Sequence, residues 1–123
     1  MHAHLVFVTK YRHLAFTNTH LTRMEEIMRE VCGDFETKLE GFNGEANHVH
    51  LLVSFPPKVA VSKLVNSLDG VSSRLLRKEC EDLRFAYWKG ARLWSGSYFA
   101  GSVSGTPISV VRQYIEQQAR PAV

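Results

Sequence analysis

The segment NHVHLLVSF, residues 47–55, constrains the fold more than any other stretch. It is apolar and β-branched, carries no helical period, and is stopped by Pro56-Pro57, so it reads as a buried strand. HAHLVFVTK, residues 2–10, alternates in the same manner and is another strand. Between them Leu21, Met24, Met28, Val31 and Phe35 recur at steps of three and four. That stripe predicts an amphipathic helix over about residues 20–38, with Thr22 and Glu25 in capping-box spacing. A short stretch around residues 40–46, punctuated by Gly41, Asn43 and Gly44, is an optional strand.

Residues 59–79 form a second amphipathic pattern, striped by Val61, Leu64, Val65, Leu68, Val71 and Leu75. Gly70 in its middle costs about 1 kcal/mol against alanine; a close backbone contact explains it, and so, equally, does a tolerated imperfection. RLWSGSYFAGSVSG, residues 92–105, suggests a strand running into a flexible joint. PISVVRQYIEQQ, residues 107–118, is a helix with proline near its first turn, closed by Pro121. The order is strand, helix, one or two strands, helix, strand, helix. It implies an α+β fold: a ferredoxin-like (split βαβ, RRM-like) antiparallel sheet, helices on one face, and an extra C-terminal helix. The 123 residues amount to one domain, 1–123.

At 45% apolar and 22% charged, the composition excludes a disordered tail. No run is long enough for a membrane span and no signal peptide is evident. Cys32 and Cys80 fit no metal-ligand spacing and read as reduced packing residues of a cytoplasmic protein. A net charge of +3 and a pI near 9.0 lean toward an anionic partner. No Walker loop, HExxH or GxGxxG occurs, and GSVSG at 101–105 has valine where a nucleophile elbow needs serine.

Chemistry is concentrated in the histidine pair. In a strand His48, His50, Leu52 and Ser54 share one face, and Val49, Leu51, Val53 and Phe55 turn toward the helices. Two residues of strand span about 6.5 Å, so the imidazoles can lean together on one metal ion. Two half-exposed histidines on an open sheet face are the plainer reading. Tyr114 and Gln118, four apart in the last helix, offer a phenol nucleophile and a carbonyl oxygen. Two nitrogens, an amide oxygen and open positions suit Mg²⁺ or Mn²⁺ without excluding Zn²⁺. An aromatic packed on the sheet beside a solvated glutamine is the alternative.

These stretches resemble a known family. His48-Val49-His50 within NHVHLLVSFPPK resembles the HUH motif (histidine, hydrophobic, histidine). VTKYR, VSKLVNSLDGVSSRLLRKE, LWSGSYFAGSV and VVRQYIEQQ resemble, in order, blocks of the single-tyrosine transposases of bacterial insertion sequences, the insertion sequence 200-like group. The resemblance spans nearly the whole chain. It implies that His48, His50 and Gln118 are metal ligands, Tyr114 is the nucleophile, and the metal is Mg²⁺ or Mn²⁺. At Asn47 many relatives carry an acidic residue, so an outer carboxylate is in question here.

The resemblance further implies cleavage and rejoining of single-stranded DNA at hairpin-marked element ends through a 5′-phosphotyrosine. It implies a homodimer in which one subunit's tyrosine helix can complete the other's site. Gly101, Ser102, Ser104 and Gly105 would form the hinge before that helix, or an ordinary loop. Lys10, Arg12, Lys63, Arg74, Arg77, Lys78, Lys89 and Arg92 are candidates for DNA phosphate contacts. Tyr11, Tyr87, Trp88, Trp94 and Tyr98 are candidates for stacking on unpaired bases, some of them belonging to the core. Two alternatives are a non-catalytic hairpin-binding module of the same fold and a metalloregulatory or metal-storage domain. Repeat-associated relatives share the motif.

Overall fold

The computed structural model describes residues 1–86, 93–102 and 106–121, excepting the side chains of residues 12, 85, 86 and 96–102. The elements are β1 (His2–Thr9), a 3₁₀ turn (Lys10–Arg12), α1 (Asn18–Asp34), β2 (Lys38–Glu45), β3 (His48–Ser54), α2 (Val61–Glu79), α3 (Glu81–Ala86), β4 (Trp94–Ser102) and α4 (Ile108–Glu116). The strands form one antiparallel sheet in the order β2-β3-β1-β4. This is the α+β, ferredoxin-like arrangement expected from the order of periodicities. The optional strand at 40–46 is β2.

Strand alternation divides the sheet. Ala3, Leu5 and Phe7 of β1 and Val49, Leu51 and Val53 of β3 are fully buried in the main core. They meet Leu21, Met24, Ile27 and Met28 of α1 and Leu64, Leu68 and Leu76 of α2. Trp94 at the start of β4 is also buried, packing at 5.5 Å from Phe7 and 5.4 Å from Phe16, so it is unavailable for base stacking. Its indole N–H donates to Ser72 Oγ at 3.0 Å, which satisfies the polar atom this burial would otherwise strand. Cys32 and Cys80 are free thiols, as read; burial pushes Cys32 up to about 12.

The helix boundary at α1 differs from the expected one. Its N-cap is Thr17, whose side chain accepts from the His20 N–H, while the Thr17 N–H donates to His20 Nδ1. A histidine thus fills the place usually taken by Glu or Gln in a capping box. Thr22 lies inside the helix and donates to the Asn18 carbonyl. At the other end Glu36 adopts φ 53°, and Thr37 N–H donates to the Cys32 carbonyl, which stops the helix short of residue 38.

Gly70 is exposed on α2, and a Cβ built there meets nothing within 4 Å. No close contact therefore requires glycine. Gly70→Ala is expected to raise stability by about 1 kcal/mol, a rise in melting temperature of roughly 3–6 °C. Thermal denaturation checks this; an unchanged or lowered midpoint would mean that the site demands glycine for another reason.

The opposite sheet face is covered over β2 and β3 by α4. Leu52 and Ile115 are fully buried and Val6 nearly so, yet they stand apart from the main core cluster. A Cβ at Gly41 would lie 3.6 Å from both Leu52 Cβ and Arg112 Cγ, so α4 closely overlies that strand. The face carrying the histidines is thus partly roofed, not open.

Candidate active site

The β2–β3 hairpin is built to hold its turn still. Ala46 O accepts from the N–H groups of Ala15 and Phe16, and Asn47 O accepts from Thr9 N–H, all at 2.9–3.0 Å. Asn47 is consequently a fixed platform at the start of β3. Its Oδ1 lies 2.8 Å from Nδ1 of His48 and accepts that ring's proton. The acceptor that this ring finds is an amide oxygen, not a carboxylate.

Two positions on, His50 projects on the same face, its ring centroid 5.2 Å from that of His48. His4 joins them from β1. The register places Val6 opposite His50 and Leu52 opposite His4, so His4 and His50 are diagonal neighbours. His4 Nε2 lies 2.9 Å from His50 Nδ1, with centroids 5.1 Å apart. Burial, followed by the neighbouring His4 and His48, pushes His50 down to about 4. Burial lowers His4 too. His50 is therefore neutral near pH 7, the form in which imidazole binds a metal.

Tyr114 reaches this cluster from α4. Its ring centroid lies 6.1 Å from His50 and 6.4 Å from His4, both edge-on, and the side chain remains 55% exposed. Substrate can reach the phenol while the histidines stay half-buried beneath it. The tyrosine helix overlies the histidines of its own chain.

Gln118 is placed differently from the expectation. The helix ends at Glu116, with Gln117 as C-cap, so Tyr114 and Gln118 do not share a continuous helical face. Asn43 of β2 holds this end instead. Its Nδ2 donates to the carbonyls of Glu116 at 3.1 Å and Gln118 at 2.9 Å. Its Oδ1 accepts from Gly44 N–H and, at 2.7 Å, from Arg120 Nε. Arg120 continues to Asn18, Thr22 and Glu25 of α1, tying the chain past α4 to the far layer. Arg112 pairs with Glu40 at 2.7 Å. No hydrogen bond among the described residues joins the Gln118 side chain to the histidines.

The donor set fits a divalent metal of modest protein ligation. With Nδ1 of each ring engaged, the nitrogen left for a cation on His48 and His50 is Nε2. Among the described residues no group of three or more His, Cys, Asp or Glu side chains is placed to hold a metal. The side-chain amide of Gln118 is an oxygen donor of the type such an ion accepts.

The described basic candidates are dispersed. Lys63, Arg74, Arg77 and Lys78 lie on α2, in the layer opposite the histidines, and Arg77 Nε donates within its own helix to Ser73 O. Lys10 stacks its ammonium 5.5 Å over the exposed Tyr11 ring in the turn after β1. Tyr11 itself adopts φ 61°. The Arg12 and Tyr98 side chains lie outside the described structure, as do Tyr87, Trp88, Lys89 and Arg92 entirely. Of the expected hinge, Gly101 and Ser102 are paired strand residues opposite His4 and Ala3. Ser104 and Gly105 lie outside the described residues. No helix among the described residues is long and apolar enough to cross a membrane.

Sequence reasoning missed His4, Asn43 and Arg120. A signal for His4 was present, since His2 and His4 form another HxH in the alternating β1. Asn43 and Arg120 had none, because their roles arise only when α4 docks.

Comparison with known proteins agrees with this architecture. The family model described as "Transposase IS200 like" matches residues 1–118. The transposase for insertion sequence element IS200 of Salmonella typhimurium is 31% identical over 115 residues, covering 94% of this chain and 74% of that protein. The ISDra2 transposase TnpA of Deinococcus radiodurans is 30% identical over 115 residues, covering 94% and 81%. A crystal structure described as that of a transposase from Deinococcus radiodurans R1 superposes with a TM-score of 0.76 at 27% identity, covering all of this chain and 92% of that one. The chain belongs to the IS200-like family of transposases.

Proposed function

We propose that this transposase cuts and rejoins single-stranded DNA at hairpin-marked ends, with Tyr114 as nucleophile and a Mg²⁺ or Mn²⁺ ion held by His48, His50 and Gln118. The observation that carries the reading is the exposed Tyr114 ring 6.1 Å from His50, on a helix roofing the histidine face. Tyr114 Oη attacks the scissile phosphorus, and the phenol loses its proton as the O–P bond forms. The bond from phosphorus to the 3′ oxygen breaks, leaving a free 3′-OH and a 5′-phosphotyrosine. A 3′-OH from another strand then attacks that phosphorus, and Tyr114 leaves and regains its proton. One phosphoester replaces another, so no nucleotide cofactor is needed. A bound divalent ion supplies Lewis-acid stabilisation of charge on the phosphate oxygens. A homodimer is the proposed working unit. Lys10 and Tyr11, on the exposed turn after β1, are the proposed first contacts to unpaired DNA.

The test uses labelled single-stranded DNA from the element's flanks, with Mn²⁺ or with chelator. Cleavage should require metal and single strands. His48→Ala should lower it by about 10²-fold or more, and Gln118→Ala should impair it less. Metal-independent cleavage, or full activity in His48→Ala, would defeat the metal assignment. Hairpin binding without cleavage across several flanking substrates would instead favour a non-catalytic binding module.

A further inference from the structure

We propose that His4 is a positioning residue that fixes the tautomer of His50, so that His50 presents an unprotonated Nε2 to the metal. The inference rests on the metal reading above and extends it to a residue outside the HxH pair. The close approach of His4 Nε2 to His50 Nδ1, 2.9 Å, requires one ring to donate and the other to accept. Only one arrangement leaves His50 fit to bind a cation. If His50 Nδ1–H donates, His50 Nε2 keeps its lone pair, and His4 carries its own proton on Nδ1. If His4 Nε2–H donates, the neutral His50 ring must carry its proton on Nε2 and is blocked.

His48 obeys the same logic through a different partner. Asn47 Oδ1 accepts the proton of His48 Nδ1 at 2.8 Å, leaving Nε2 free. Both histidines of the pair therefore have an outer partner at Nδ1: an amide from the hairpin turn for one, an imidazole from the neighbouring strand for the other. Such partners orient metal-binding histidines and set which nitrogen is available. The rigid ladder supports the geometry, since β1 and β3 pair continuously from His2↔Ser54 to Val8↔His48. His4 is not itself a ligand in this arrangement, because its Nε2 is turned to His50.

The test compares wild type, His4→Phe and His4→Gln. Glutamine retains an oxygen acceptor for His50 Nδ1–H; phenylalanine fills the space without one. Long-range ¹H–¹⁵N NMR of the metal-free proteins near pH 7.5 reports the tautomer of His50 directly. Manganese titration, read by the EPR signal of the free ion, reports affinity. Wild type should show His50 as the Nδ1–H tautomer. His4→Phe should shift it toward Nε2–H and weaken Mn²⁺ binding by about 10–100-fold, and His4→Gln should restore both to within a few-fold. An Nε2–H tautomer in wild type would overturn the proposal even if His4→Phe failed to fold. An unchanged tautomer in His4→Phe would overturn it whatever the affinity. Wild type that binds no Mn²⁺ would defeat the metal reading and, with it, the metal-presenting role of His4; Mn²⁺ binding with an unaltered tautomer in His4→Phe would defeat the His4 role alone.

Discussion

Tyr114→Phe is expected to remove covalent attachment to DNA, with cleavage falling by at least about 10³-fold. The reason is chemical: phenylalanine keeps the ring and removes the oxygen proposed to attack phosphorus. The fold should not notice. Tyr114 is 55% exposed, and the contacts made by its ring, edge-on to His50 and His4, survive the change. Stability should therefore move by no more than about 0.5 kcal/mol, and hairpin affinity should stay within a few-fold. A parallel melting curve and a binding assay separate loss of the nucleophile from loss of the protein. Equal loss of DNA binding would count against the assigned role, and an adduct persisting in the variant would place the nucleophile elsewhere.

The second large effect is expected at Asn43. Asn43→Ala removes two donors to the end of α4 and one acceptor each for Gly44 and Arg120. Asn43 is only 6% exposed, so water replaces these partners poorly. The cost is about 2–3 kcal/mol, lowering the melting temperature by roughly 10 °C. The functional loss should exceed what that destabilisation alone explains at a temperature where the variant is folded. With α4 no longer pinned at Glu116 and Gln118, Tyr114 is less well placed over the histidines, and adduct formation should drop by about 10–100-fold. Full activity in a folded Asn43→Ala protein would show that this anchor does not set the tyrosine's position.

Much of the fold was legible because periodicity directly reports burial on one face. The stripe Leu21, Met24, Met28, Val31 lies in the core, as do Leu64 and Leu68 of the second helix. The boundaries were less legible. The start of α1 depends on a histidine acting in a capping box, and its end on Glu36 in a left-handed conformation, a state that composition favours for glycine. The 3₁₀ turn and α3 are too short to show a period.

The histidine pair could be read from strand alternation, but its surroundings could not. Leu52 was expected beside the histidines on an open face, and it is completely buried because α4 docks there. Docking depends on Asn43, Arg112 and Arg120 meeting partners 72 to 102 residues away, and no local pattern encodes such contacts. The same docking carries Tyr114 to the histidines, while the helix ending at Glu116 leaves Gln118 held by its backbone. Of the basic residues taken together in the sequence, the described Lys63, Arg74, Arg77 and Lys78 fall on α2 and Lys10 in the turn after β1, since charge alone does not report which face of a sheet a helix covers.

The most direct test of the central claim is to locate the covalent bond. Wild-type protein would be incubated with single-stranded flanking DNA and Mn²⁺, treated with nuclease and protease, and its peptides sequenced by mass spectrometry. A nucleotide remnant on Tyr114, absent with chelator or duplex DNA, is the expected result. A remnant on any other residue would contradict the account.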